Sequence, residues 1–200
     1  MHNERIKSII NILVLGCLFF IGCQNVDVNS YKTFTLTDGN VHFSLEYRAY
    51  YKIKEVHPSF DTGTPSDAFM DFTLISPKIK QTKDYTYIKV LVEKPGRLIP
   101  DAKSQTERAE NNASSWANYK LLDKYMTTID GIEAYRLDYQ NQNIVPTLAG
   151  TGKPAIGVYR ELHFDAKGFV WMIQMSSDSS TADADKADFE HVIQTFKVLD

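Results

Sequence analysis

The chain has 200 residues and a formal net charge of −3 at pH 7, and 43% of its residues are hydrophobic. This length suits one domain with a sizeable core. A negative net charge provides no overall attraction to nucleic acid, so no nucleic-acid partner is expected.

The first 22 residues show the charged, apolar and small-residue order of a secretory signal. Arg5 and Lys7 precede an apolar run that extends from Ile9 to Gly22. A membrane-spanning helix needs about 20 apolar residues, whereas the run from Ile9 to Cys23 provides only 15. A retained membrane helix is therefore the weaker interpretation.

The apolar run ends in Phe20-Ile21-Gly22-Cys23, which resembles a bacterial lipobox. In a lipobox the small residue, here Gly22, admits the signal peptidase, and the cysteine, here Cys23, becomes the acylated first residue. Two or more acyl chains make such an anchor stable. Cys17 is an alternative, but it is followed by Leu18-Phe19-Phe20, whereas Cys23 is followed by the polar segment QNVDVNS.

The pattern predicts a signal peptide over residues 1–22, a polar tether over 23–30 and one domain over 31–200. Cleavage removes two basic residues and one acidic residue and leaves 178 residues with a net charge of −4. With Cys23 acylated, the mature chain has no free thiol, so neither a disulfide nor a cysteine metal site is expected. The predicted location is outside the cytoplasm, with Cys23 holding the protein to the bacterial cell membrane or outer membrane.

Alternation of period two dominates the domain. Val41, Phe43, Leu45 and Tyr47 are predicted to share one face of a strand, which Asp38-Gly39 joins to the preceding YKTFTLT as a hairpin. Further strands are predicted over residues 68–75, 85–93, 119–127, 132–139, 155–164 and 169–176.

Two of the later pairs are joined by turns at Asp130-Gly131 and at residues 165–168. Hairpin connections of this kind, in place of helical crossovers, predict an antiparallel sheet. Two long segments rich in glycine and proline, residues 57–67 and 141–154, are predicted to be loops.

Two helices interrupt the strands. In the first, Ser104 and Glu107 have the spacing of a capping box, and an apolar stripe follows at helical period. The stripe consists of Ala109, Ala113, Trp116 and Ala117.

The second helix is predicted from about Thr181 to Phe196, with Asp183 and Asp185 near its positive end. Its apolar face consists of Phe189, Val192, Ile193 and Phe196.

Over residues 31–200, the order of these elements resembles the PsbP-like family. The resemblance is carried by the segments FSLEYRAYYKI, YTYIKVLVEK, DGIEAYRLDY, GFVWMIQM and FEHVIQTFKV. It implies an α+β fold in which an antiparallel β-sheet is sandwiched by helices. The same fold occurs in the extrinsic photosystem protein, in a Ran-binding nuclear import factor and in many bacterial lipoproteins, and members of known role act mainly by binding partners.

Glu161, His163 and Asp165 alternate along one predicted strand and are expected to point to the same side of it. Carboxylates with an imidazole can bind zinc or act as general acid and base. The polar, solvent-facing side of a hairpin would show the same pattern, and Asp165 also opens a turn. Both interpretations remain open at this stage.

Arg48, Tyr50 and Tyr51 form a second candidate site, because tyrosine and arginine are enriched where proteins bind partners. The alternative is that Tyr47 and Tyr51 belong to the core of a strand whose other side is wet.

These observations predict a membrane-anchored exported lipoprotein that binds an envelope protein or a small ligand and is not an enzyme. The sequence contains neither G-x-S-x-G nor H-E-x-x-H, and no cofactor is expected. Two alternatives stay open. One is a metal-binding protein or metal-dependent enzyme that uses Glu161, His163 and Asp165, and the other is a structural component of the envelope.

Overall fold

The computed structural model describes residues 29–38, 40–58, 68–76, 86–145 and 153–200. Within these ranges the strands are β1 (Tyr31–Asp38), β2 (Val41–Arg48), β3 (Lys52–Pro58), β4 (Ala68–Ile75), β5 (Tyr87–Glu93), β6 (Lys120–Ile129), β7 (Ile132–Val145), β8 (Lys153–Ala166), β9 (Phe169–Asp178) and β10 (Lys197–Val198). The helices there are α1 (Ala102–Ser114) and α2 (Ala182–Thr195). Neither of these helices is long and apolar enough to cross a membrane. The predicted signal peptide, with Gly22 and Cys23, lies outside the described residues.

The strands of the described ranges pair antiparallel and form two sheets. The larger sheet has seven strands in the order β3-β4-β5-β9-β8-β7-β6, and the smaller has three in the order β1-β2-β10. Strand β5 therefore pairs with β9 and not with β6, the next strand in the chain. Helix α1 follows β5 and leads the chain across the sheet to its far edge at β6.

The seven-stranded sheet is covered on both faces. Helix α2 and the smaller sheet pack on one face, where Phe43 meets Trp171 edge to face at 5.9 Å and stacks on Phe196 at 5.5 Å between ring centroids. Helix α1 covers the other face over Leu137, Tyr139 and Tyr159. Residues 158–164 of β8 are consequently buried on both sides of the sheet.

The predicted alternation in β2 is confirmed: Val41, Phe43, Leu45 and Tyr47 are buried and the residues between them are partly exposed. The hairpin turns follow from local chemistry. Asp130 and Gly131 have φ of 50° and 77° between β6 and β7, which suits the two-residue turn that Asp-Gly favours. The predicted bounds of the second helix, 181–196, differ from those of α2 by one residue at each end.

The start of α1 differs from the predicted capping box. Asp101 is the N-cap, and its carboxylate accepts a hydrogen bond from the Ser104 backbone N–H at 2.7 Å. Ser104 thus lies three residues inside the helix and is not its cap. The apolar stripe also stops early, because α1 ends at Ser114 and leaves the Trp116 side chain 51% exposed beyond it.

Strand β3 was not predicted. Its pairing with β4 shifts register between Ile53 and Glu55, and such a bulge interrupts the alternation by which a strand is recognised. Strands β7 and β8 extend as far as Val145 and Lys153, so part of the predicted loop over 141–154 is sheet. Residues 59–67 and 146–152 of the two predicted loops lie outside the described residues.

Candidate ligand-binding site

A cavity of about 400 Å³ lies between α1 and the sheet. Its floor is formed by β5, β7, β8 and β9, and its roof by Gln105, Ala109 and Ala113 of α1. Ligand pockets in proteins commonly enclose about 300–1,000 Å³, so the cavity is large enough for a small organic molecule.

Glu161 is a deeply buried acidic residue at the floor of this cavity. Only 2% of its surface is exposed, and three side chains donate hydrogen bonds to its carboxylate. The Tyr139 hydroxyl donates to Oε1 at 3.0 Å, the Gln174 amide also donates to Oε1, and the His163 Nε2 lies 3.0 Å from Oε2. The strand register brings these residues together, because Gln174 pairs with Glu161 across β8 and β9.

Burial raises the pKa of Glu161, but the hydrogen bond and the Coulombic attraction from His163, with the hydrogen bonds from Gln174 and Tyr139, together lower it further than burial raises it. The net shift is downward, so the carboxylate is ionised at neutral pH. Burial and the neighbouring Glu161 raise the pKa of Tyr139, which keeps its hydroxyl protonated as a donor. The pair therefore consists of a charged acceptor and a neutral donor.

Two amide oxygens at the cavity, Asn141 Oδ1 and Gln105 Oε1, have no hydrogen-bond partner among the described residues. Asn141 is only 6% exposed, and an unpaired acceptor buried this deeply costs about 1–3 kcal/mol. Native proteins satisfy most buried polar atoms, either internally or with a bound molecule. The two oxygens are thus available to a ligand.

Aromatic rings form one wall of the cavity. Tyr139 and Tyr159 stack at 5.0 Å between centroids with an interplanar angle of 12°. Gly157 makes room for this arrangement, because a Cβ at that position would lie 2.9 Å from the Tyr159 ring. The exposed side chains of Trp116 and Arg108 lie at the mouth of the cavity and are also part of its lining.

The structure brings together two of the three residues predicted as metal ligands. Glu161 and His163 are in contact, whereas the Asp165 carboxylate accepts from the Ala102 backbone N–H at 3.0 and 3.1 Å. Asp165 therefore holds the first turn of α1. No cluster of three or more histidine, cysteine, aspartate or glutamate side chains suited to a metal ion occurs among the described residues.

The predicted partner surface of Arg48, Tyr50 and Tyr51 lies where β2 meets α2. Arg48 Nε donates to Asp188 Oδ1 at 3.0 Å, and the Tyr50 hydroxyl donates to the other oxygen of the same carboxylate. Tyr51 is only 4% exposed, belongs to the main core and stacks on Tyr50 at 4.9 Å between ring centroids. These side chains attach α2 to the smaller sheet, and Tyr51 is not on the surface.

Sequence reasoning missed most of the cavity. Tyr139 ended a predicted strand, Asn141 fell in a predicted loop, and Gln105 was part of a helix with no assigned role. A usable signal was present, since β7 continues the alternation of Leu137, Tyr139 and Asn141 on the face that α1 covers.

No protein-family model and no curated protein sequence matches the chain. Solved structures do match, at low sequence identity, and they show the fold. The chain has the PsbP-like α+β fold, an antiparallel sheet between helices, as the resemblance implied.

Three of these structures share the fold over nearly their whole length. Cyanobacterial PsbP from Synechocystis has a TM-score of 0.53 and 16% identity over 88% of this chain and 97% of its own. LpqN of Mycobacterium tuberculosis, described as involved in cell envelope biogenesis, has a TM-score of 0.55 and 12% identity over 88% of this chain and 95% of its own. The Ran-binding protein Mog1p of Saccharomyces cerevisiae has a TM-score of 0.52 and 9% identity over 86% and 96%.

Proposed function

We propose that the chain is an exported lipoprotein whose domain binds a small ligand in the cavity beneath α1 and does not catalyse a reaction. The observation that carries this proposal is the cavity of about 400 Å³, whose floor combines the buried Glu161 with an Asn141 oxygen that no described residue pairs with. Such a lining suits selective binding, because a polar group that is buried without a partner favours a ligand that supplies one.

The anchored location is supported by the order of the first 23 residues, with a charged start, an apolar run and Gly22-Cys23. The similarity to LpqN, which is described as involved in cell envelope biogenesis, fits a role in the envelope. A structure of the same fold is described as a Ran-binding protein, which is consistent with a binding role for this fold. A lipid anchor would keep the domain beside the bilayer and raise its effective concentration near other envelope components.

The ligand proposal is tested by filling the cavity. Full-length wild type, Ala109→Phe and Asn111→Phe would each be incubated with a small-molecule extract of the host envelope, repurified and heated. Released compounds would be identified by mass spectrometry. Ala109 lines the cavity roof, while Asn111 is exposed on the same helix.

We expect a compound that is released by wild type and Asn111→Phe but is depleted in Ala109→Phe. Equal release from all three proteins, or release from none, would contradict ligand binding in the cavity.

Anchoring is tested separately with Cys23→Ala and the control Cys17→Ala. We expect Cys23→Ala to lose acylation and to leave the membrane fraction, and Cys17→Ala to remain there. Recovery of native protein with an intact Met1 or an unmodified Cys23 would contradict the anchor.

A second candidate function, binding of an envelope protein, is favoured by strand β6 at the edge of the larger sheet. Four of its large apolar side chains are exposed: Leu121, Leu122, Tyr125 and Met126. An edge strand with free backbone groups and apolar side chains can pair with another chain.

This second function is tested with a photo-crosslinking residue at position 126. It should capture one envelope protein that the same residue at the exposed position 32 does not capture. Equal capture at both positions would contradict this function.

A further inference from the structure

The cavity offers acceptors to its ligand. A carboxylate has about four lone-pair directions, and Glu161 uses three of them, two on Oε1 and one on Oε2. One direction on Oε2 is left. Together with Asn141 Oδ1 and Gln105 Oε1, this gives the ligand three acceptors to satisfy. A ligand that pairs with all three must be a hydrogen-bond donor.

The charge of the floor is negative. Among the described residues, no lysine or arginine forms an ion pair with Glu161, whose only ionisable hydrogen-bond partners are His163 and Tyr139. Among the residues that the structure describes, His163 Nδ1 has no hydrogen-bond partner. A carboxylate buried away from water and without a lysine or arginine beside it is costly, so the cationic group of a ligand beside Glu161 would be stabilised.

The other charged groups of the lining do not reverse this sign. Glu93 of β5 adds a second carboxylate to the floor, and Arg108, the single basic residue of the lining within the described part of the chain, is exposed at the mouth. The faces of tyrosine and tryptophan rings also attract cations by about 0.5–2 kcal/mol. Tyr139, Tyr159 and Trp116 supply such rings.

We propose that the cavity binds a small organic cation with N–H donors, of which a primary ammonium on an apolar arm is the simplest form. The ammonium would donate its N–H groups to Glu161 Oε2, Asn141 Oδ1 and Gln105 Oε1. The arm would extend along Tyr139 and Tyr159 toward Trp116. This inference rests on the proposed function and specifies the class of its ligand.

Three probes with a similar phenyl-alkyl arm differ in the charge of their terminal group, and comparing their affinities isolates the effect of charge. They are phenethylammonium, 2-phenylethanol and 3-phenylpropionate. Each would be titrated calorimetrically into the full-length protein in mild detergent, with an empty-micelle blank. We expect phenethylammonium to bind at least about tenfold more tightly than phenylethanol, which corresponds to about 1.4 kcal/mol, and phenylpropionate to bind most weakly.

Variants of the protein test whether the preference for the ammonium over the alcohol comes from Glu161 at the cavity floor. Glu161→Gln should reduce the advantage of the ammonium over the alcohol to less than about threefold, while Glu107→Gln, the same change at an exposed position of α1, should keep it. Gln105→Leu removes an acceptor from the partly exposed roof and should weaken ammonium binding even if Glu161→Gln fails to fold. An unchanged affinity in Gln105→Leu would contradict the proposed geometry.

The outcomes also separate this inference from the proposed function. If phenylethanol binds wild type as tightly as phenethylammonium, or if none of the probes binds, the cation inference is wrong. The cavity-filling comparison of Ala109→Phe with Asn111→Phe still decides whether the cavity binds a different class of ligand.

Discussion

Glu161 shows how a charged side chain is kept in an interior that is closed on both faces of the sheet. Its strand neighbours supply three donors, from Tyr139, Gln174 and His163. Hydrogen bonds to a charged acceptor contribute about 1.5–3 kcal/mol each, which offsets part of the cost of burial. The residue is therefore stable only in the register that places these donors around it.

This arrangement predicts a pH dependence of stability. The folded-state pKa of Glu161 lies below its ordinary value of 4.5, so its ionised form stabilises the fold above that pH. The contribution is lost as the pH falls through the folded-state pKa. We expect the difference in free energy of unfolding between wild type and Glu161→Gln to shrink as the pH falls below about 4.5, as measured by urea unfolding at several pH values.

The control for this experiment is Glu107→Gln, whose side chain is exposed on α1. Its difference from wild type should stay small at every pH. A constant difference for Glu161→Gln across the same range would show that the carboxylate is not stabilised by ionisation.

At the scale of the element, α1 depends on two aspartates that satisfy its first backbone N–H groups. Asp101 accepts from Ser104 N–H, which lowers the pKa of Asp101, and Asp165 reaches across from the end of β8 to accept from Ala102 N–H. The first turn of a helix has unpaired donors that such carboxylates satisfy. Asp165 thereby ties the cavity roof to a strand of its floor.

Substitutions distinguish this cap from the capping box that the sequence indicates. Asp101→Ala should lower the free energy of unfolding by about 1 kcal/mol, because an N-cap acceptor is lost. Ser104→Ala should change it by less than about 0.5 kcal/mol, because an interior helical position favours alanine. Urea unfolding at neutral pH measures both effects. A larger loss of stability for Ser104→Ala than for Asp101→Ala would support the capping box and contradict Asp101 as the cap.

At the scale of the whole molecule, Asp188 joins α2 to the smaller sheet. Its carboxylate accepts from Arg48 and Tyr50, and Arg48 also lies 4.5 Å from the centroid of the Tyr31 ring. Thr195, the last residue of α2, accepts from the Glu46 backbone N–H at 3.0 Å. These contacts hold α2 and the smaller sheet as one layer over the large core.

Asp188→Ala should destabilise the protein by about 2 kcal/mol, because the partly buried Arg48 and Tyr50 each lose one hydrogen bond to a charged acceptor. Glu110→Ala removes an ion pair with Lys124 whose side chain is 41% exposed, and it should cost less than about 1 kcal/mol. Thermal and urea unfolding of both variants check the prediction. Equal losses would show that the Asp188 contacts add nothing beyond a surface ion pair.

The sequence by itself determined the features that depend on near neighbours. Alternation in β2 and the turn at Asp130-Gly131 are local, because side-chain period and positive φ depend on only a few consecutive residues. The bounds of α2 were predicted to within one residue at each end because its apolar face repeats at helical period. The fold class followed from these elements and from the resemblance of their order to a known family.

Tertiary structure alone decided which distant residues meet. The bulge after Ile53 concealed β3, the pairing of β5 with β9 placed α1 over the sheet, and the register of β7 and β8 put Tyr139 beside Glu161. Strand order and register are set by packing across the whole core, and no short stretch of sequence encodes them. The cavity and the acceptors that line it are a product of that packing.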